Sequence, residues 1–156
     1  MPFAAPLFAN VYNAEFGGDV SSGEAQGDAG KAWAKATAAG AATVMAPAPS
    51  STISVAEQAM AGALAGWNSD SDNAGMMLKS ALVTFAATMS PGFAPGGLPA
   101  VPPAGPPPID SVFSMGDAGA DALSMGNAFG GILASWFPTG TFIIPGVPPI
   151  GPLPWI

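Results

Sequence analysis

Runs of small and apolar residues alternate along the chain with segments rich in proline and glycine. Within the runs, apolar positions recur three and four residues apart, which is the spacing of one face of a helix. Glycine or proline lies at the end of each run and favours a stop there. The pattern predicts a mainly α fold of about four helices packed through small residues. We place these helices at residues 28–45, 54–66, 73–89 and 117–137.

Capping residues predict where the helices begin. Asp28, Asn73 and Asp117 each open a similar triplet with alanine and glycine, and Asp or Asn is a favourable residue just before a helix. Ser54 and Glu57 have the spacing of a capping box, in which each side chain accepts a hydrogen bond from the backbone amide of the other. The repeated triplets also suggest an internal duplication.

The helix predicted over 117–137 carries a stripe of small residues spaced by four. A glycine in the middle of a helix costs about 1 kcal/mol relative to alanine, so the stripe is expected where a neighbouring backbone approaches closely. The residues of this predicted packing stripe are Ala118, Ala122, Gly126, Gly130 and Ala134.

Proline-rich and glycine-rich segments divide the chain into arms and a helical part. We expect an extended N-terminal arm over 1–27 and a helical domain over 28–137, which the proline-rich segment 91–108 interrupts. An uncharged, proline-rich C-terminal arm follows over 138–156. Possible short strands, indicated by aromatic and β-branched residues, lie near 8–12 and 141–144.

The two later arms are predicted to bind neighbouring subunits. The triplet Val-Pro-Pro at 101–103 recurs at 147–149, each time in an arm without lysine or arginine. A preformed extended arm loses little conformational entropy when it docks. The predicted contact residues are Val101, Pro102, Pro103 and Ile109 in the first arm, and Val147, Pro148, Pro149, Ile150, Leu153, Trp155 and Ile156 in the second.

The composition limits how the chain could cover its own surface. Hydrophobic residues make up 49% of the chain and charged residues 8%, about a third of the usual ~25%. Much of the surface should therefore lie against other protein or against lipid. A net charge of −7 with only three basic residues lacks the phosphate-neutralising contacts of nucleic-acid binding, so no nucleic-acid partner is expected.

The chain has few of the residues that enzymes use. It has no histidine or cysteine, which removes the commonest general bases, thiolate nucleophiles and soft metal ligands. Lys79 and Ser80 point to different sides of a helix and cannot form a dyad. Residues 68–73 alternate oxygen ligands like a calcium loop, but the glycine and glutamate that such a loop requires are replaced. We predict no enzymatic activity, no catalytic residues, and no cofactor or metal site.

A membrane location is the alternative. No charged residue follows Asp121, and the predicted helices at 73–89 and 117–137 are apolar. Both are short for a span of about 20 apolar residues, and proline arms would leave backbone carbonyls unsatisfied in lipid. A small integral-membrane or membrane-active subunit therefore stays the second hypothesis.

These features together favour a non-enzymatic structural subunit of a large symmetric assembly. Its arms would bind copies of the same chain and other proteins of the assembly. Among such assemblies we expect a virus particle, with the chain as a component of the capsid, neck, tail or baseplate of a tailed phage. The expected location is therefore the virion, and otherwise a membrane.

Overall fold

The computed structural model describes residues 2–17, 22–44, 50–67, 72–93 and 100–156, and this part of the chain is mainly α-helical. The predicted fold class is confirmed, including a short β segment near the C-terminus. The helices are α1 (Ala5–Phe16), α2 (Ser22–Ala41), α3 (Ser50–Ala63), α4 (Ala74–Met89), α5 (Asp110–Asp117) and α6 (Ala122–Trp136). Strands β1 (Thr141–Ile144) and β2 (Ile150–Pro154) form a two-stranded antiparallel sheet.

The N-terminal segment is helical instead of extended. Pro6 occupies the first turn of α1, where its missing N–H costs no hydrogen bond, and Phe8 and Tyr12 lie one turn apart on the buried face. The strand predicted near 8–12 is therefore wrong, and residues 5–16 of the predicted arm belong to the helical core. Helical spacing of the aromatic residues outweighs their β propensity because α2 and α6 give them a surface to pack on.

Two helices begin earlier than their capping residues predict. α2 begins at Ser22 and α3 at Ser50, so Asp28 and Ser54 lie inside these helices and not at their N-termini. No proline separates either residue from the earlier start, so helical hydrogen bonding can continue towards the N-terminus. The predicted start at Asn73 is correct, because this residue directly precedes α4.

The helix predicted over 117–137 corresponds to α6, which begins five residues later, and the short helix α5 before it was not predicted. α5 ends at Asp117, Gly119 adopts a left-handed conformation with φ +88°, and α6 begins after Asp121. The Asp121 carboxylate accepts a hydrogen bond of 2.7 Å from the Ser124 backbone amide, and this bond lowers the pKa of Asp121. The predicted start at Asp117 is therefore wrong, because Gly119 follows the end of α5 and Asp121, not Asp117, caps α6.

Aromatic side chains fill the centre of the helical part. α1 packs against both α2 and α6, and α3 packs against both α2 and α4. The buried Trp33 indole on α2 lies edge-on to Phe129 of α6, with ring centroids 4.5 Å apart. Its centroid lies 5.2 Å from that of Tyr12 and 6.5 Å from that of Trp67. Trp33 therefore connects α1 and α6 with the chain that follows α3.

Two glycines of α6 allow α1 to approach closely. A Cβ atom at Gly126 would lie 3.2 Å from the Ala9 carbonyl oxygen, and one at Gly130 would lie 2.9 Å from that of Ala5. Any larger residue here would push the two helices apart. Of the other residues in the predicted packing stripe, Ala122 and Ala134 are partly buried in α6, whereas Ala118 lies in the turn after α5.

Gly130→Ala should destabilise the fold, whereas Gly131→Ala should stabilise it. A methyl group at 130 meets the α1 backbone, and such overpacking lowers the free energy of unfolding by about 1–3 kcal/mol. Position 131 faces open space in the same helix, so alanine there raises the free energy of unfolding by about 0.5–1 kcal/mol. Urea unfolding followed by circular dichroism measures both variants. Equal effects at the two positions would contradict the close approach of α1.

Alkaline pH should destabilise the protein through Tyr12, the single tyrosine of the chain. Burial raises the pKa of its phenol from 10.0 to about 12. Above pH 10 the unfolded chain loses this proton first, so the free energy of unfolding falls by about 1.4 kcal/mol per pH unit. The free energy of unfolding stops falling once the pH passes the folded-state pKa. Below pH 10 the phenol keeps its proton in both states, so the full stabilisation is present there.

Tyr12→Phe is the control for this pH dependence, because it keeps the ring and removes the ionising group. The difference in unfolding free energy between parent and variant should change only above pH 10. Phenolate absorbance should titrate near pH 12 in the folded protein and near pH 10 in urea. Equal midpoints in the two states would show that Tyr12 is not buried.

Candidate interaction surface

The C-terminal segment folds back as a short antiparallel hairpin. Phe142 on β1 lies opposite Leu153 on β2, and Val101 from the proline-rich segment pairs with Thr141 on the same strand. The Val101 and Thr141 backbones exchange two hydrogen bonds, of 2.8 and 2.9 Å. The strand predicted near 141–144 is confirmed. The two arms that were expected to bind neighbouring subunits thus also bind each other within one chain.

Trp155 fixes the base of the hairpin to the helical core. Its buried indole lies 6.3 Å from the Phe137 ring, and its Nε1–H donates to the Thr141 carbonyl oxygen over 3.1 Å. Gly140 makes room for the indole, because a Cβ atom there would lie 2.7 Å from a ring carbon. The prediction that Trp155 contacts a neighbouring subunit is corrected, because its own chain provides the slot that it fills.

The other predicted contact residues divide between the core and the surface. Pro103 and Ile109 are buried in their own chain, which leaves them no surface to offer a neighbour. Pro102 and Leu153 are partly buried. Contact with another subunit stays a prediction for the exposed residues, which are Val101, Val147, Pro148, Pro149, Ile150 and Ile156.

The turn between β1 and β2 presents an apolar surface. Val147 is fully exposed, and Ile150 and Ile144 are 58% and 42% exposed. No charged residue follows Asp121 in the sequence. Contiguous exposed apolar surface of this kind typically marks an interaction site. We call this surface the hairpin tip and define it as Ile144, Val147, Pro148, Pro149 and Ile150.

The backbone of β2 contributes few donors at its outer edge. Pro152 and Pro154 have no N–H, and proline is tolerated in a strand mainly at the edge of a sheet. A partner must therefore recognise the hairpin mainly through the side chains of its tip.

A charged groove lies between α1, α2 and α3, with a volume of about 470 Å³. Lys35 forms an ion pair with Glu15, and the hydrogen bond to Glu15 raises the pKa of Lys35. The remaining polar lining residues are Lys31, Glu57 and Gln58, so lysine and glutamate side chains balance each other in the groove. The i, i+4 spacing of the lysines signals an exposed polar side, but sequence alone does not place their partners on α1 and α3.

The reactive arrangements considered from the sequence have no counterpart in the described residues. Lys79 is ion-paired with Asp110. Across these residues, no group of three or more acidic, histidine or cysteine side chains could hold a metal ion. Within the same ranges, none of the helices combines the length and the hydropathy needed to cross a bilayer. Most of the calcium-like loop at 68–73 lies outside the described residues.

No family model, curated protein or solved structure compared with the chain matches it. The geometry of the hairpin tip and of the Trp155 anchor is therefore the basis for assigning a function.

Trp155→Ala should release the hairpin from the core. Truncating a buried aromatic ring costs about 3–5 kcal/mol, so amide hydrogen exchange at Val101 and Thr141 should accelerate at least about a hundredfold. Ile156→Ala is the matched control, because the neighbouring side chain is 48% exposed and its loss should change stability by less than about 0.5 kcal/mol. Unchanged protection of the two amides in Trp155→Ala would contradict the anchoring role.

Proposed function

We propose that this chain is a non-enzymatic structural subunit of a large symmetric assembly, in which the hairpin tip packs on a neighbouring subunit. The observation that carries the proposal is the fully exposed Val147 in an apolar tip whose base is fixed by Trp155. A surface that is apolar, uncharged and held in place is suited to permanent contact with protein.

The anchor supports this function by reducing the cost of association. A mobile tail would lose conformational entropy on docking, at about 0.5–1.5 kcal/mol for each immobilised side chain. Trp155 and the backbone pairing of Val101 with Thr141 order the hairpin before any partner arrives. More of the free energy of apolar burial is then available for binding.

The size of the tip favours many contacts over one. Fully burying an aliphatic side chain contributes about 1.5–3 kcal/mol, and three such side chains in the tip contribute several kcal/mol. Association itself costs about 4–15 kcal/mol, which is as much as or more than this contribution, so one tip contact alone gives at most weak binding. Repeated contacts in a closed symmetric assembly add up, because each further contact is made at high effective concentration.

The assembly that we propose is a virus particle, with the chain as a component of the capsid, neck, tail or baseplate of a tailed phage. A subunit of such a particle covers much of its surface with neighbouring subunits. It can therefore tolerate the low charge content of 8% and the exposed apolar tip.

Val147→Glu should weaken assembly. Burying an unpaired carboxylate costs several kcal/mol, so association should weaken at least about tenfold. Val55→Glu makes the same change at an exposed valine of α3 and should leave assembly intact. Light scattering coupled to size exclusion, without detergent, measures the mass relative to the 15.3 kDa chain.

Three results of this experiment would contradict the proposal. The first is a parent chain that stays monomeric. The second is a Val147→Glu variant that assembles like the parent, and the third is an equal loss of assembly in both glutamate variants. A parent chain that becomes monodisperse only when detergent is added would instead support the membrane hypothesis.

A further inference from the structure

α4 presents a second uncharged surface, which we call the α4 face and define as Met76, Ser80, Val83 and Ala87. These residues are exposed and follow one another at intervals of four, three and four, so they form one stripe along the helix. Met76 is 73% exposed. The opposite side of α4 is buried in the core, so this stripe is the side of the helix that the described residues leave uncovered.

Covering the α4 face would leave few polar groups without partners. The Thr84 hydroxyl donates to the Ser80 carbonyl oxygen over 3.0 Å, and the Thr88 hydroxyl donates to that of Thr84 over 2.8 Å. Lys79 is paired with Asp110. Because these groups already have partners within the chain, a contact here removes water at a small desolvation cost.

We infer that the α4 face of one copy receives the hairpin tip of the next copy, an inference that rests on the proposed function. Both surfaces are uncharged in a chain whose net charge is −7, and Ser80 is the one polar residue among those that define them. Two identical acidic chains repel each other, so contact is most favourable where neither surface carries charge. Val147 and Met76 are both exposed in a single copy, so the two surfaces do not cover each other there.

A contact between tip and helix uses both surfaces of every copy. Pairing two α4 faces, or two tips, would be isologous, and it would close a dimer while the other surface stayed uncovered. When a tip meets the α4 face of the next copy, the contact runs head to tail and generates a ring or a filament. Each subunit then provides one tip and receives one, as the proposed symmetric assembly requires.

Cysteine cross-linking tests this contact directly, because the chain has no cysteine of its own. Val147→Cys places a thiol on the tip, and Ser80→Cys places one at the centre of the α4 face with little change in side-chain size. Under mild oxidation, an equal mixture should give at least about ten times more linked pairs than either variant alone, because a disulfide needs closely placed Cα atoms. The double variant should give a ladder of linked chains.

Leu123→Cys is the matched control for the α4 face, because Leu123 is exposed on α6. Its mixture with Val147→Cys should give no linked pairs above the level of either variant alone. Cross-linking of Ser80→Cys alone would overturn the inference in favour of helix pairing, and cross-linking of Val147→Cys alone would overturn it in favour of tip pairing.

The cross-linking experiment and the light-scattering experiment on Val147→Glu together separate this inference from the proposed function. If Val147→Glu disrupts the assembly while Ser80→Cys forms no cross-link with Val147→Cys, the proposed function stands and the tip has another receptor. If the parent chain is monomeric, both the inference and the proposed function fail.

A charge substitution on the helix side provides a second readout. Met76→Glu places a carboxylate in the first turn of α4, where the helix dipole favours it, so the variant should fold normally. It should weaken assembly at least about tenfold, because the docked tip would bury an unpaired charge. Leu123→Glu makes a similar change in the first turn of α6 and should assemble like the parent. Equal behaviour of the two variants would overturn the inference.

Discussion

The contact between α1 and α6 determines where the later elements lie. Gly126 and Gly130 bring the two backbones together, and the chain before α1 then places Phe3 against Phe137, with stacked rings 4.9 Å apart. Phe137 in turn lies beside the indole of Trp155, which holds the hairpin. A series of direct contacts therefore connects helix packing with the hairpin, and the position of the tip is set by the core.

Local sequence patterns predicted the helices and strands whose stability depends mainly on residues close by in the sequence. The apolar run over 73–89 forms α4, and the β-branched run over 141–144 forms β1. The late start of α6 was not predictable, because Gly119 and Asp121 are both compatible with a helix that begins at Asp117 until their dihedral angles and hydrogen bonds are known. For Trp155, the sequence shows an aromatic residue that needs burial, but the slot at Gly140 exists only in the folded chain.

The scarcity of charge determines the kind of association that we propose. Lys35 and Lys79 are engaged in ion pairs within the chain, and Lys31 lines the balanced groove. The apolar arms are visible in the sequence but the α4 face is not, since a helix that is apolar on nearly all sides does not reveal which side its own core covers. Packing against α3 and against Phe137 distinguishes the buried side of α4 from the exposed one.

Pro152 and Pro154 have a consequence for copies that have not yet assembled. An exposed apolar hairpin resembles the segments that stack into cross-β fibres, in which every strand must supply backbone donors to the next chain. β2 lacks a donor at two of its positions, so stacking of hairpin on hairpin along this edge is interrupted. An unassembled subunit can therefore expose its apolar tip to water without becoming a template for amyloid growth.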